Sequence, residues 1–124
     1  MAMKPCPCGG TDYAACCGRY HNGTPAPDAE STMRSRYSAY AKGLEPYLLM
    51  TWHPDTRPDS LDFDDGAKWL GLDIKKCEQQ ATDRATVEFV ARYRIAGRAH
   101  RLHEISRFVL EGGRWLYVDG DFLS

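Results

Sequence analysis

Four cysteines crowded into a dozen residues near the start of the chain limit its folding more than any other feature. Cys6 and Cys8 form the first pair and Cys16 and Cys17 the second, in a segment with too few large apolar side chains to build a core. Such a segment needs a covalent or metal crosslink. Four thiolates suit a tetrahedral Zn²⁺ ion, and Gly9-Gly10 permits a tight turn beside the first pair. These four cysteines are therefore the predicted ligands of a structural zinc site.

The spacing of these cysteines leaves other interpretations open. One residue separates Cys6 from Cys8 and none separates Cys16 from Cys17, whereas paired zinc ligands are usually two to four residues apart. Adjacent cysteines can reach one metal only where the backbone is irregular or a helical turn ends, and His21 is the predicted substitute ligand if they cannot. The alternatives are two disulfides, a redox-active thiol pair and a metal or redox switch. We favour zinc, because clustered cysteines in a reducing compartment more often bind metal.

The composition restricts the class of protein and its surroundings. A chain of 124 residues suffices for one domain with a core and a small appendage. Its net charge of −1 gives no overall attraction to nucleic acid or anionic lipid. No apolar run reaches the length of about 18 residues that a membrane span needs, and residues 1–5 are too short and polar for a secretory segment. We expect a cytoplasmic protein with no nucleic-acid partner; the sequence specifies no oligomeric state.

Two segments are predicted to lack regular structure. A linker with two prolines, Asn22 to Pro27, follows the cysteine segment. It divides the chain into a predicted zinc motif at residues 1–24 and a predicted α+β domain at residues 28–124. Residues 55–68 form a predicted solvated loop whose aspartates do not have the spacing of a calcium-binding EF-hand. These aspartates are Asp55, Asp59, Asp62, Asp64 and Asp65.

The helical region begins after the linker. Asp28 is the predicted N-cap of a helix that reaches about Lys42 and stops at Gly43, and a second short helix is predicted from Glu45 to Thr51. Four residues of the first helix fall at helical spacing and are predicted to pack inward: Met33, Tyr37, Tyr40 and Ala41. The polar residues predicted to face elsewhere are Arg34, Ser35, Ser38 and Lys42.

The second half of the domain alternates as strands do. Strands are predicted around Leu72 and Ile74, from Thr86 to Ile95, from Ala99 to Leu110 and from Trp115 to Val118. The inward residues predicted for the two long strands are Val87, Phe89, Ala91, Tyr93, Ile95, Leu102, Glu104, Ser106, Phe108 and Leu110. Helices followed by an antiparallel meander predict an α+β fold with the helices on one face of the sheet.

The N-terminal residues carry a family resemblance. Cys6-Pro7-Cys8-Gly9, Tyr13 and Cys16-Cys17-Gly18 resemble the SEC-C zinc motif, which is best known from the C-terminal tail of the SecA preprotein translocase motor. The loop between the pairs is one residue shorter than in the usual form of that motif. The resemblance implies zinc ligation by Cys6, Cys8, Cys16 and Cys17.

Three further segments resemble the YchJ family, and this resemblance extends over nearly the whole chain. They are Met33 to Tyr40, Thr51 to Pro54 and Arg101 to Glu104. The resemblance implies a SEC-C motif joined to a domain similar to nuclear transport factor 2. Sheets of that kind curl into a cone with a pocket between the sheet and the helices. No particular activity is implied.

Glu104 is the predicted functional residue of such a pocket. It shares a strand face with Leu102 and Phe108, and a buried carboxylate must be paired, have a raised pKa or face a wet cavity. His53, at the end of the second helix, is a candidate partner, and the two would be general acid and base in an isomerase or dehydratase. The alternative, which we favour, is a structural ion pair between Glu104 and Arg34 or Arg36.

Other residues have simpler interpretations. Tyr37, Tyr40, Trp52 and Trp115 could line the pocket as an aromatic cage, but rings at these spacings usually pack in a core. The basic residues of one hairpin are most simply a solvated face, and Cys77 is most simply a small strand residue. These basic residues are Arg92, Arg94, Arg98, His100 and Arg101.

We predict from these patterns a zinc-binding module for a protein partner or a small ligand. The zinc motif would offer a surface to the protein partner, and the pocket would hold the small molecule. A small-molecule enzyme that uses His53 and Glu104 is the alternative, and a metal or redox switch is the third hypothesis. The zinc would be structural, because four cysteine ligands leave no open position for a reacting water.

Overall fold

Helices precede a four-stranded antiparallel sheet in the computed structural model, which describes residues 4–61 and 67–123. A 3₁₀ turn, Tyr13–Ala15, comes first. Within the described ranges the helices are α1 (Cys17–His21), α2 (Ala29–Lys42) and α3 (Glu45–Met50). The strands are β1 (Lys68–Ala81), β2 (Arg84–Ile95), β3 (Arg98–Glu111) and β4 (Arg114–Phe122). The predicted α+β class is confirmed.

The sheet is a meander in the order β1-β2-β3-β4, with every neighbouring pair antiparallel. The pairing shifts register at three places between β1 and β2 and once between β3 and β4. Such bulges bend a strand and increase its twist. They give the long strands the curvature of a cone, whose concave face carries the predicted inward residues Val87, Phe89, Glu104, Ser106 and Phe108, all of them buried.

Helix α2 is the central element of the fold. The side chain of Asp28 caps it by accepting a hydrogen bond from the Ser31 backbone N–H at 2.7 Å, and the helix ends at Gly43, as predicted. Of the residues predicted to face away from the core, Lys42 is exposed and Arg34 is half-buried, but Ser35 and Ser38 are not exposed. The inward packing predicted for Ala41 is wrong, because this residue is exposed. Ser35 and Ser38 are fully buried, because α3 and the cysteine segment cover the face of the helix that points away from the sheet.

The cysteine segment belongs to the main core. Cys6, Cys8 and Cys17 form one cluster of buried residues with the following partners from α2 and the sheet: Met33, Tyr37, Val87, Phe89, Phe108 and Trp115. The division into units at residues 1–24 and 28–124 stays a prediction. What the core establishes is that these two segments pack on each other through α2.

The acidic segment is described only in part. Asp55 and Asp59 are exposed, as expected for a solvated loop, whereas Asp62, Asp64 and Asp65 lie outside the described residues. Among the residues that are described, no helix combines the length and the apolar character needed to cross a membrane.

Candidate functional site

The backbone turns sharply between the cysteines of the first pair. The Gly9 N–H donates to the carbonyl of Cys6 at 3.0 Å, and the Cys6 N–H donates to the carbonyl of Gly10 at 2.9 Å. Gly9 has a φ of 108°, a conformation that residues with a side chain rarely adopt. The predicted role of this glycine pair is therefore confirmed.

The second pair meets the first because the backbone is irregular at Cys16. This residue, with φ −120° and ψ −118°, separates the 3₁₀ turn from α1, which begins at Cys17. A side chain at Gly10 would collide with the second pair, since an added Cβ would lie 2.8 Å from Cys16 Sγ. The adjacent cysteines can thus turn toward a common centre.

The four sulfurs form a cluster of the right size for a metal ion. All lie within 4.8 Å of one another, and the Sγ atoms of Cys8 and Cys16 are 3.6 Å apart. A tetrahedron with metal–sulfur bonds of about 2.3 Å has edges of about 3.8 Å. Cys6, Cys8 and Cys17 are buried and Cys16 is half-buried. The arrangement could hold a metal ion.

Crowding separates the pKa values of these thiols. A hydrogen bond from Cys17 lowers the pKa of Cys8 to about 4, and the same bond raises the pKa of Cys17. Burial raises the pKa of Cys16 to about 11. One thiolate is thus stabilised by its protonated neighbours. Because metal ligands must be deprotonated, metal binding at this cluster releases protons and depends on pH.

His21 lies beside the cluster but bonds elsewhere. Its Nε2 is 2.8 Å from the carbonyl oxygen of Ser35, and its Nδ1 is 2.5 Å from the hydroxyl of Tyr13. A carbonyl can only accept, so Nε2 carries the proton and Nδ1 accepts from Tyr13. Burial lowers the pKa of His21, which favours this neutral ring. In this arrangement His21 joins the cysteine segment to α2 through both ring nitrogens, and its role as a substitute ligand stays a prediction.

Two more contacts fix the cysteine segment to α2. Cys6 Sγ lies 3.3 Å from Ser38 Oγ, and Arg34 donates from Nη1 to the Cys8 carbonyl at 3.3 Å. Arg34 also pairs with Glu30 at 3.0 Å. Arg34 is therefore bound on this side of the helix. The ion pair with Glu104 that the sequence suggested for it is wrong.

A cavity of about 300 Å³ lies on the opposite side of α2, between that helix and the concave face of the sheet. Five of the eight predicted pocket residues line it, namely Arg36, Tyr37, Tyr40, Trp52 and Glu104. The other described residues that line it are Met33, Trp69, Phe89, Ala91, Leu102, Ser106, Tyr117 and Phe122. The wall is predominantly aromatic and aliphatic.

Arg36 brings a buried positive charge to this cavity. Arg36 is only 3% exposed, and its Nη1 atom donates to the Leu48 carbonyl at 2.9 Å and to Thr51 Oγ1 at 2.8 Å. The guanidinium carbon lies 5.0 Å from the ring centroid of Trp52 and 4.7 Å from that of Tyr117. Burial lowers the pKa of Arg36. Among the described residues it has no ion-pair partner, so the predicted fork with Glu104 is wrong.

Glu104 is held by neutral groups. Its Oε2 accepts hydrogen bonds from Ser106 Oγ at 2.7 Å and from the Tyr117 hydroxyl at 3.0 Å. Burial and the carboxylate raise the pKa of Tyr117, which therefore remains a donor. The carboxylate rests on the backbone at Gly120, where an added Cβ would come within 2.1 Å of Oε2. Its Oε1 has no hydrogen-bond partner among the described residues.

The structure does not bring His53 and Glu104 together. His53 Nε2 bonds to Glu111, and Nδ1 accepts from the Asp55 backbone N–H at 3.1 Å. The His53 backbone N–H donates to the Tyr117 carbonyl at 2.7 Å, which fixes the segment after α3 along β4. This backbone pairing turns the ring away from the described lining of the cavity. The predicted acid–base pair is corrected accordingly.

The sequence also placed Trp115 in the pocket and missed two residues that contact Glu104. Trp115 is buried in the core rather than in the cavity wall. Tyr117 and Gly120 were missed, because a bulge leaves Val118 without a partner in the register between β3 and β4. The alternation therefore changes phase, so that Tyr117 and Phe122 line the same cavity although their positions differ by an odd number, five. Ser106 could have been recognised, since it follows Glu104 by two positions.

Comparison with known proteins agrees with this architecture. Residues 28–120 match the family model described as the middle NTF2-like domain of YchJ. The UPF0225 protein of Chromobacterium violaceum is 56% identical in an alignment of 127 residues, which covers 97% of this chain and 94% of that protein. The UPF0225 protein of Bordetella pertussis is 61% identical over 121 residues, covering 94% of this chain and 91% of its own length.

Solved structures agree as well. A SEC-C motif containing protein from Rhodopseudomonas palustris superposes with a TM-score of 0.84 at 33% identity, covering 98% of this chain and all of that one. A second SEC-C motif containing protein, from Psychrobacter arcticus, gives a TM-score of 0.82 at 26% identity, with coverages of 99% and 85%. Both superpositions extend over nearly the whole of this chain, including its cysteine segment, and both proteins are described as containing a SEC-C motif.

Proposed function

We propose that this chain, which belongs to the YchJ family, binds a small molecule in the cavity beneath its sheet and uses a structural zinc site to hold the wall of that cavity in place. One observation carries this proposal. Arg36 and Glu104 both line the cavity, and each has only neutral hydrogen-bond partners among the described residues. Small-molecule sites are typically apolar hollows with a few polar groups of this kind.

The cysteine cluster supports the second part of the proposal. Thiolate ligands in a tetrahedron favour zinc among the common divalent ions. The bound ion would crosslink the two cysteine pairs and neutralise their charge. Because Cys6, Cys8 and Cys17 are buried and four sulfurs complete the tetrahedron, a structural role fits better than a catalytic one.

Helix α2 links the two sites. On one side its residues Ser35 and Ser38 contact His21 and Cys6 of the zinc motif. On the other side Arg36, the residue that follows Ser35, faces the cavity. The zinc motif therefore stabilises the element that carries the buried charge, and we expect metal removal to weaken ligand binding.

The other functions suggested by the sequence have less support. An isomerase or dehydratase would need a proton-transfer partner for Glu104, and His53 bonds to Glu111 instead. A protein partner for the zinc motif and a redox switch remain predictions. Reversible thiol oxidation with stoichiometric metal release would support the switch, whereas oxidation without metal release would count against it.

The indole N–H signals of the three tryptophans provide a direct test by NMR. Trp52 and Trp69 line the cavity, whereas Trp115 lies in the core and serves as an internal control. We expect members of a diverse fragment library to shift the signals of Trp52 and Trp69 and to leave that of Trp115 in place. A library that shifts neither cavity tryptophan would contradict the proposed function.

A matched pair of variants makes the test specific. Ala91 lines the cavity, and Ala91→Phe would fill part of it. Ala99 lies exposed in β3, so Ala99→Phe adds the same side chain outside the cavity. Binding should be lost in the first variant and kept in the second. Equal binding by both variants would place the fragments elsewhere and refute the cavity as the site.

A further inference from the structure

We propose that the cavity binds a small carboxylic acid with a flat apolar or aromatic body and a hydrogen-bond donor, such as a hydroxyl group, at the end opposite the carboxylate. This inference rests on the proposed function and names its ligand class. Three features of the described residues carry it: a buried cation whose hydrogen-bond acceptors are neutral, a buried indole N–H without a hydrogen-bond partner, and a carboxylate oxygen without one.

The cation is Arg36. Its Nη1 atom bonds only to neutral oxygens, those of Leu48 and Thr51, and Nε and Nη2 have no acceptor among the described residues. A buried charge is costly unless it is paired. The guanidinium presents its remaining N–H groups as a planar fork, which matches the geometry of a carboxylate. An anionic ligand group at this position would supply the missing counter-charge.

Trp52, whose ring lies next to Arg36, carries a second donor. The indole Nε1 of Trp52 is buried and has no hydrogen-bond partner among the described residues. Trp52 lines the cavity, and its ring lies against the Arg36 guanidinium. Buried donors without partners are rare in folded proteins. A ligand oxygen that accepts from Trp52 and from Arg36 would satisfy both groups.

The acceptor is Glu104, which Tyr117 separates from the cation. Arg36 lies over the ring of Tyr117, whereas Glu104 accepts from the hydroxyl at the end of that ring. The two groups thus contact different parts of the same tyrosine side chain. Oε2 of Glu104 is already used, but Oε1 has no described partner. A donor group of the ligand would form a hydrogen bond to Oε1.

The wall between these groups determines the ligand body. It is formed by aromatic and aliphatic side chains, among them Tyr37, Trp69, Phe89 and Leu102. Such a wall favours a flat apolar body over a sugar or a nucleotide. The cavity volume of about 300 Å³ is at the lower end of the range for ligand sites. The ligand is therefore small, with a body of about one ring.

Three probes separate these contributions in titrations of the wild-type chain followed by NMR or calorimetry. They are 4-hydroxyphenylacetate, its neutral amide 4-hydroxyphenylacetamide, and phenylacetate, which lacks the hydroxyl donor. We expect the first to bind at least about tenfold more tightly than the amide, since hydrogen bonds to charged groups are the stronger ones. We expect a smaller preference, about threefold or more, over phenylacetate.

Variants then assign each preference to a residue. Arg36→Met should abolish the preference for the acid over the amide, and Arg36→Lys should retain part of it. Glu104→Gln should reduce the preference for the hydroxylated acid over phenylacetate. Circular dichroism of each variant verifies folding, and the wild-type probe series decides the matter even if Arg36→Met does not fold.

The outcomes distinguish the ligand class from the proposed function. If the amide binds the wild-type chain as tightly as the acid, or if Arg36→Met keeps the preference, the ligand class is refuted. If none of the three probes binds while neutral fragments shift Trp52 and Trp69, the class is refuted but the cavity remains a binding site. If nothing shifts either tryptophan, both fail together.

Discussion

The buried polar groups on the two sides of helix α2 differ in whether they have partners. On the side toward the cysteine segment, which we call the closed side, the polar groups have partners: both nitrogens of His21 are hydrogen-bonded, and four sulfurs lie within 4.8 Å of one another. The side toward the cavity is called the open side. On the side toward the sheet, and among the described residues, Arg36 has only neutral hydrogen-bond partners and the Oε1 atom of Glu104 has none. A closed set of polar groups stabilises the fold, whereas an open set is available to a ligand.

This contrast explains how one short chain can carry both sites. The cavity lowers the stability of the fold, since burying the Arg36 cation without an ion-pair partner costs free energy. A metal ion bound by the cysteine cluster would stabilise the same helix, because structural metal sites contribute binding energy to folding. Loss of a cysteine should therefore lower stability strongly, whereas loss of the Arg36 charge should change ligand binding more than stability.

The largest effect is expected from Cys8→Ser, which removes a ligand from the closed side. The variant should lose its metal and be destabilised by more than about 3 kcal/mol, because metal binding and folding are coupled. Elemental analysis and thermal unfolding measure the two effects. Cys77→Ser is the control, since Cys77 is exposed on β1 and outside the cluster. A metal content near zero in the wild-type chain under reducing conditions would refute the site.

Gly120→Ala should cause the next largest loss of stability, on the cavity side of the molecule. The added methyl group would come within 2.1 Å of Glu104 Oε2 and displace the carboxylate. Overpacking of this kind costs about 1–3 kcal/mol. Gly71→Ala is the matched control, because nothing lies within 4 Å of a Cβ added there. Denaturant unfolding compares the pair, and equal stabilities would show that Glu104 is not held as described.

Arg36→Met should change stability by no more than about 1 kcal/mol, although it removes two hydrogen bonds. The loss of those bonds is offset by removal of a buried charge, and replacing such charges by apolar groups is often neutral or favourable. Arg34→Met on the same helix breaks a partly exposed ion pair with Glu30 instead. Unfolding curves measure both. Destabilisation of Arg36→Met by several kilocalories would mean that the open side is structural after all.

The smallest effect concerns the pH dependence of the closed side. The pKa of His21 is lowered by burial, so the unfolded chain takes up the proton more readily. The contribution of neutral His21 is thus present above the ordinary histidine pKa of about 6.5 and is lost as the pH falls through the lower pKa of the folded chain.

The wild-type chain should therefore lose more stability than His21→Gln when the pH is lowered from about 7.5 to 5.5. Both chains keep the four cysteines, so acid-driven metal release affects them alike. His100→Gln, in an exposed position on β3, should behave as the wild type does. Parallel pH profiles for the wild-type chain and His21→Gln would contradict the role of His21 as a neutral bridge.

Local patterns in the sequence determined a large part of this protein. The cysteine cluster, the N-cap at Asp28 and the end of α2 at Gly43 depend on residues that lie close together in the chain, and each was predicted correctly. The strands followed from alternation, and the resemblance to the YchJ family is confirmed by the comparisons. Short-range rules suffice for such features, because the interacting groups are neighbours in sequence.

Only the tertiary structure decided which polar groups meet. Ser35 and Ser38 are buried because a distant segment covers them, and the bulge at Val118 changes which residues of β4 face inward. His53 and Arg36 lie near one another in sequence, yet backbone pairing with β4 directs the first to Glu111 while the second faces the cavity. Long-range register and covering contacts set these outcomes, and no local pattern in the chain encodes them.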